Sequence, residues 1–279
     1  MAAERAAGVP EFERAPTLAA LGTILREQGQ LVEAEAIMRE AVAINERAFG
    51  PDHLVTATAY RNLASLLRDL ERYDEAAALY ERALAVRRRE LGPTHRRVAN
   101  LLNSYTKLYD ETGDTERALE LQREVVRIYQ ATETPEPTRY AAALFNLGGY
   151  LDGLDRRREA ERWYRLSVAT LAGALPEDSP ELAFPLTGYG TALTRWGRAG
   201  EALPMLRRAV ALRRAALEPA APLTALSERR LADALAGAGR PDEARRLLRA
   251  SIGRLTESGA DADLVARARD RLNTLAARP

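Results

Sequence analysis

The chain has 279 residues, 46% apolar and 29% charged, which is enough for one or two folded domains and too well mixed for a disordered tail. Its 41 basic side chains are balanced by 40 acidic ones, so no whole-molecule field draws nucleic acid or an acidic membrane surface toward it. Cysteine is absent and only His53 and His95 are imidazoles, which excludes disulfides and thiol nucleophiles and leaves most metal and acid–base constellations short of parts.

Residues 1–14 carry Glu4, Arg5, Glu11, Glu13 and Arg14 and hold no apolar run of signal-peptide length. No later stretch approaches the ~18 apolar residues of a membrane span, so the chain reads as soluble and cytoplasmic. Lys107 is the only lysine among the 41 basic residues and alanine is abundant, a bias assigned to GC-rich coding rather than to arginine-specific recognition.

A repeat governs the rest. Ala34, Ala76, Ala118, Ala160, Ala202 and Ala244 stand at an unbroken spacing of 42. Six units follow, 15–56, 57–98, 99–140, 141–182, 183–224 and 225–266, behind a tail of residues 1–14. In that tail Ala6-Ala7-Gly8-Val9-Pro10 echoes Ala48-Phe49-Gly50-Pro51 with a one-residue slip. Two readings stay open there: the end of a preceding repeat in a longer protein, or a terminus of accidental composition.

The first unit places Leu18, Leu21 and Leu25 at helical spacing, breaks at Gly29 and resumes at Ala34, Met38 and Ala41. The second repeats this with Tyr60, Leu63, Ala64 and Leu67, an interruption at Glu71-Arg72, then Tyr73, Ala76, Tyr80, Ala83 and Leu84. The third breaks at Gly113, the fifth at Gly197 and the sixth at Gly239, where a left-handed residue ends a helix. Each unit is therefore two antiparallel helices. Between units come Gly50-Pro51, Gly92-Pro93, Thr134-Pro135, Pro176 and Glu218-Pro219, where proline stops the second helix. The recurring alanine marks the closest crossing of the two helices, because axes about 8–10 Å apart admit only small side chains there. After the last unit Leu264, Ala268, Leu272 and Leu275 form one more stripe, so residues 262–277 read as a C-terminal capping helix.

These residues resemble the tetratricopeptide repeat. Its large residue, Leu-Gly, large residue, Ala, aromatic, Ala pattern appears as Leu18, Leu21-Gly22, Leu25, Ala34, Met38 and Ala41, and as Leu144, Leu147-Gly148, Leu151, Ala160 and Tyr164. The usual unit has 34 residues. This one is eight longer, about two helical turns, and Tyr80 to Arg87 running into Leu91-Gly92-Pro93-Thr94-His95 is similar to the kinesin light chain type common in bacterial proteins. HEAT and armadillo repeats share the length without this alanine and aromatic series. Gln122 and Val125 in the third unit and Glu228 in the sixth depart from the pattern. The resemblance implies an all-α, right-handed α-solenoid of six helix-turn-helix units plus the capping helix.

It also implies where function lies, on the concave face lined by the first helix of each unit. The family positions fall on Arg61, Asn62, Ser65 and Arg68, then Asn100, Asn103, Ser104 and Lys107, then Phe145 and Asn146, then Phe184, Thr187 and Thr191, then Arg229, Arg230 and Asp233. Family asparagines at the place of Asn62 and Asn146 often bond a peptide backbone, and an amide both donates and accepts. A carboxylate clamp is only half present, since its later Lys/Arg pair is missing from the third unit. Phe145 and Phe184, from adjacent units, are expected to form an apolar pocket. His53 and His95 are read as loop polar groups, Trp163 and Trp196 as packing residues. No catalytic group, metal site or cofactor is assembled. The expected function is a non-catalytic scaffold for a protein or an extended, acidic peptide segment, with no nucleic acid and no membrane as partner. The alternative is a self-associating regulatory array of a larger signalling protein linked to a kinase or protease.

Overall fold

A computed structural model describes residues 10–132, 135–218 and 221–276. The echo at Ala6 to Val9, Thr134, Pro219 and the last residue of the expected cap lie outside these. Thirteen α-helices and no strand occur among the described residues. They are α1 Glu11–Glu27, α2 Leu31–Phe49, α3 Leu54–Asp69, α4 Tyr73–Leu91, α5 Arg96–Thr112, α6 Thr115–Gln130, α7 Pro137–Gly153, α8 Arg157–Ala174, α9 Ala183–Arg195, α10 Ala199–Ala216, α11 Pro222–Gly237, α12 Pro241–Glu257 and α13 Ala262–Ala276. A short 3₁₀ turn, Pro180–Leu182, leads into α9.

The alanine series sits at the helix crossings, and all six members are fully buried. Opposite them lie small residues of the first helices. A Cβ added at Gly22 would meet Met38 Cγ at 2.7 Å, and one at Gly148 would meet Tyr164 at 2.9 Å and the Ala160 carbonyl oxygen at 3.2 Å. The Leu-Gly of the sequence pattern is thus a close approach of α1 to α2 and of α7 to α8. Turns within the pairs follow the glycine expectation, with Gly29, Gly113, Gly197 and Gly239 left-handed at φ 74 to 80°. The two units without glycine use Glu71 at φ 59° and Asp155 at φ 56° for the same turn.

His53 and His95 are helix N-caps. Their Nδ1 atoms accept from the Val55 and Arg97 amides at 3.2 and 3.0 Å, satisfying donors that the first turns of α3 and α5 leave open. The second helices begin with a recurrent clamp, in which Arg72, Arg156 and Arg198 each pair with a glutamate three residues on, Glu75, Glu159 and Glu201, at 2.6–2.8 Å.

The chain divides into two compact bodies, the residues up to Pro135 with Gly153–Asp155, and Glu136–Asp152 with the residues from Arg156 onward. In the first, α1 touches α3 and α3 touches α5; in the second, α9 touches α11 and α11 touches α13. Consecutive second helices are instead joined by long side chains, through Arg39–Glu75 at 3.4 Å and Arg88–Glu124 at 2.6 Å. Within each body the first helices therefore crowd together on the inner face and the second helices spread on the outer one.

Candidate peptide-binding face

In the first body, α3 and α5 carry the expected residues side by side, and they differ in how far they are already engaged. Ser65 is committed: its hydroxyl bonds the Arg61 carbonyl at 3.0 Å and lies 2.9 Å from the Tyr80 hydroxyl. Arg68 is committed too, pairing with Asp69 at 2.7 Å and reaching Glu111 on α5 at 3.2 Å. Its side chain ties neighbouring first helices together. Arg61 donates to Asn62 Oδ1 at 2.8 Å, a bond that fixes both groups without neutralising the cation.

Along α5, Asn100, Asn103 and Lys107 follow the i, i+3, i+7 row of one helix face. Asn100 and Asn103 are half-buried and Lys107 is exposed, and none of the three side chains has a hydrogen bond or ion pair among the described residues. Ser104, one position aside, bonds the Asn100 carbonyl. Tyr80 stacks on Tyr105 at 5.2 Å, and Tyr105 meets Tyr109 at a tilt, also at 5.2 Å, so aromatic contacts support the helix that presents the open amides. Burial and the Tyr109 hydroxyl hold the Tyr105 phenol well above its usual range, which keeps it a neutral donor.

In the second body the two phenylalanines expected to form a pocket lie in contact. Phe145 of α7 and Phe184 of α9 lie with ring centroids 4.8 Å apart, and Phe145 also packs on Tyr164 at 5.1 Å. Sequence reasoning missed Gly188, where a Cβ would fall 2.1 Å from the Phe145 ring; the glycine is what lets that ring lie flat against α9. Phe184 keeps 45% of its surface exposed, so the pair is a ledge open to solvent, and Asn146 is exposed beside it. Trp196 is a tie, its Nε1 donating to Asp152 Oδ1 at 2.7 Å.

On α11, Arg229 has no ion-pair partner among the described residues, while Arg230 approaches Asp233 only at 3.9 Å. Burial, then the neighbouring Arg230, push the Arg229 guanidinium below its usual value. Both belong to the second body. Thr187 and Thr191 turn their hydroxyls back to carbonyls of their own helix at 2.6 and 2.7 Å and offer nothing outward. Among the described residues no group of three or more His, Asp or Glu side chains is arranged to hold a metal ion. No helix among them is long and apolar enough to cross a membrane.

Paired helices stacked with the first helices inward, one small residue at each crossing and an open polar row on the inner face, define a helical-hairpin repeat protein. The chain belongs to the tetratricopeptide repeat family, which matches residues 13–88, 55–131 and 181–257. Among solved structures it resembles TPR-like repeats of a Podosopora anserina kinesin light chain variant, with a TM-score of 0.63 at 22% identity over 75% of this chain and 97% of that one. BtubC of P. vanneervenii gives 0.62 at 21% identity, over 74% and 82%. A signal transduction ATPase with a tetratricopeptide repeat sensor from Pyrococcus horikoshii gives 0.73 at 12%, over 94% of this chain and 38% of that one. At such identities these likenesses show the fold. No curated protein matches the chain.

Proposed function

We propose that the chain is a non-catalytic scaffold that binds an extended, acidic segment of another protein along the inner face of α3 and α5, with the Phe145–Phe184 ledge as a separate apolar contact in the second body. The observation that carries this is the row Asn100, Asn103 and Lys107, open amides and a cation on one face of a helix whose Ser104, Tyr105 and Thr106 side chains are bonded within the fold. An amide side chain meets both the N–H and the C=O of an extended backbone, giving affinity without reading sequence. The cations Lys107 and Arg61 on that face favour carboxylates and steer their approach.

The test uses peptides selected on the full chain from a random displayed library and measured by fluorescence polarisation. Asn103→Ala combined with Lys107→Glu is expected to weaken binding more than tenfold, about 1.4 kcal/mol or more. Arg123→Glu, on the outer face of α6, is expected to leave it unchanged. Equal affinity in the α5 double variant, or loss in the α6 variant, moves the site off the inner face. Light scattering on the same samples checks the alternative, self-association, by a mass above that of one chain.

A further inference from the structure

Arg87 is the most unusual charge in the first body. It stands on α4, a second helix, yet its side chain passes inward between α3 and α5 and only 5% of the residue is exposed. Nη1 donates to the Arg97 carbonyl oxygen at 2.9 Å, in the first turn of α5, and Nη2 reaches Thr58 Oγ1 on α3 at 3.4 Å. Neither acceptor carries a charge. No carboxylate lies within ion-pair distance among the described residues, and the charged groups that act on Arg87 are two more guanidiniums, Arg61 and Arg97. Burial first, then those two cations, push its pKa down to about 10. A buried charge without a counter-ion is costly, and here the charges of Arg61, one turn beyond Thr58 on α3, and of Arg97, whose carbonyl Arg87 bonds, bear on the same guanidinium. The positive end of the α5 dipole adds to the same field.

The fold supplies its own control. Arg213 occupies the same place three 42-residue repeats later and is 6% exposed. It too donates from Nη1 to a carbonyl ten residues on, Leu223 at 2.7 Å, and the same Nη1 also donates to the Ser227 hydroxyl. There the residues matching Thr58, Arg61 and Arg97 are Phe184, Thr187 and Leu223, so no second cation faces it, and its pKa is lowered by burial alone. The bond from arginine to the next first helix is therefore structural in both copies. The added pair of cations is peculiar to the second unit, and neither has an ion-pair partner among the described residues; Arg61 bonds only the neutral Asn62 amide oxygen.

We propose that Arg61, Arg87 and Arg97, at the start of α5, form a binding site for a dianionic phosphoryl group carried by a phosphorylated peptide segment. A single carboxylate would leave most of the triple charge unanswered and has two oxygens to offer. A phosphoryl group carries nearly two charges and three acceptor oxygens, one for each guanidinium fork. The site rests on the peptide-binding reading only for the carrier of the group. Asn103 and Lys107, which test that reading, are not part of it.

The probes are the fluorescein-labelled peptide Gly-Ala-phosphoserine-Ala-Gly, its serine and glutamate versions, and inorganic phosphate, each titrated into the full chain at constant ionic strength. The phosphoserine peptide is expected to bind at least tenfold more tightly than either relative. Arg87→Met should abolish that preference, and Arg213→Met should leave it within twofold. Arg87→Met removes the bonds to the Arg97 carbonyl and Thr58 together with the uncompensated charge, so its melting is measured beside that of the parent chain. If it does not fold, Arg61→Gln with Arg97→Gln, at solvent-accessible side chains, carries the test with the same expected loss. Equal binding of the phosphoserine and serine peptides, equal binding of the glutamate peptide, or an unchanged preference in the variants overturns the proposal. Inorganic phosphate binding as tightly as the phosphopeptide marks a free-ion site and overturns the peptide carrier. Loss of selected-peptide binding at Asn103 and Lys107, with phosphoserine binding intact, leaves both readings standing as separate contacts.

Discussion

At the residue scale the packing logic rests on small side chains at crossings. Ala76 is fully buried between α3 and α4, and a leucine there has no void to enter. Ala76→Leu is expected to destabilise the chain by about 1–3 kcal/mol through overpacking, read as a lower urea midpoint with an unchanged m-value. A shift toward higher midpoint would mean that the crossing is loose. The turn at Glu71 points the other way. Its φ of 59° imposes a left-handed conformation on a residue with a Cβ, where four other units use glycine. Glu71→Gly should raise the midpoint by up to about 1 kcal/mol, the steric relief exceeding the added chain entropy. A lower midpoint would show that the Glu71 side chain itself holds the turn.

At the element scale each helix leans on the next, and α13 has a distinct duty. Val265 and Ala268 pack over Ala225 and Leu255, Arg271 pairs with Asp233 at 2.5 Å, and the Leu275 carbonyl accepts from Arg245 at 2.8 Å. Deleting residues 262–279 uncovers α11 and α12 and forfeits the burial of Val265 and Leu275. About 3–6 kcal/mol is expected to go with it. Calorimetry should show a lower Tm, and a hydrophobic dye should bind the truncated chain. An unchanged Tm with no dye binding would show that α13 is not a cap. The stripe of α13 was legible in the sequence because Leu264, Ala268 and Leu275 recur at helical spacing.

At the scale of the whole molecule, charge does structural work without a net field. Burial raises the Glu35 carboxyl, and the bonds from Arg39 and Arg72 outweigh it, leaving its pKa below the ordinary 4.5. Arg72 lowers Glu75, and Arg198 lowers Glu161 and Glu201 in the same places three repeats on. Carboxylates with depressed folded pKa values add stability that is fully present above 4.5 and is lost as pH falls through the depressed values. Melting temperature should therefore be level from neutral pH to about 5 and fall steadily below 4.5. Glu161→Gln should flatten part of that fall. A Tm independent of pH between 5 and 3 would show that these clamps contribute nothing, as exposed pairs often do.

The sequence by itself determined the repeat length, the two helices per unit, the glycine turns, the small residues at the crossings and the capping stripe. All follow from local rules: helical periodicity, φ preference and the size limit where two axes cross. The resemblance to the family also marked Asn100, Asn103 and Lys107, through the positions that line its concave face. Whether a marked residue is open was decided by tertiary structure alone. Ser65 and Arg68 satisfy the same positional rule as Asn103, yet Tyr80 and Glu111, from other helices, already occupy them. Arg87 lay outside the expected face, since its helix is a second helix and nothing in the local pattern shows a side chain threading inward. Its lack of a counter-ion depends on which residues of α3 and α5 come to meet it. That is a property of three helices packed together, which periodicity within any one of them does not contain.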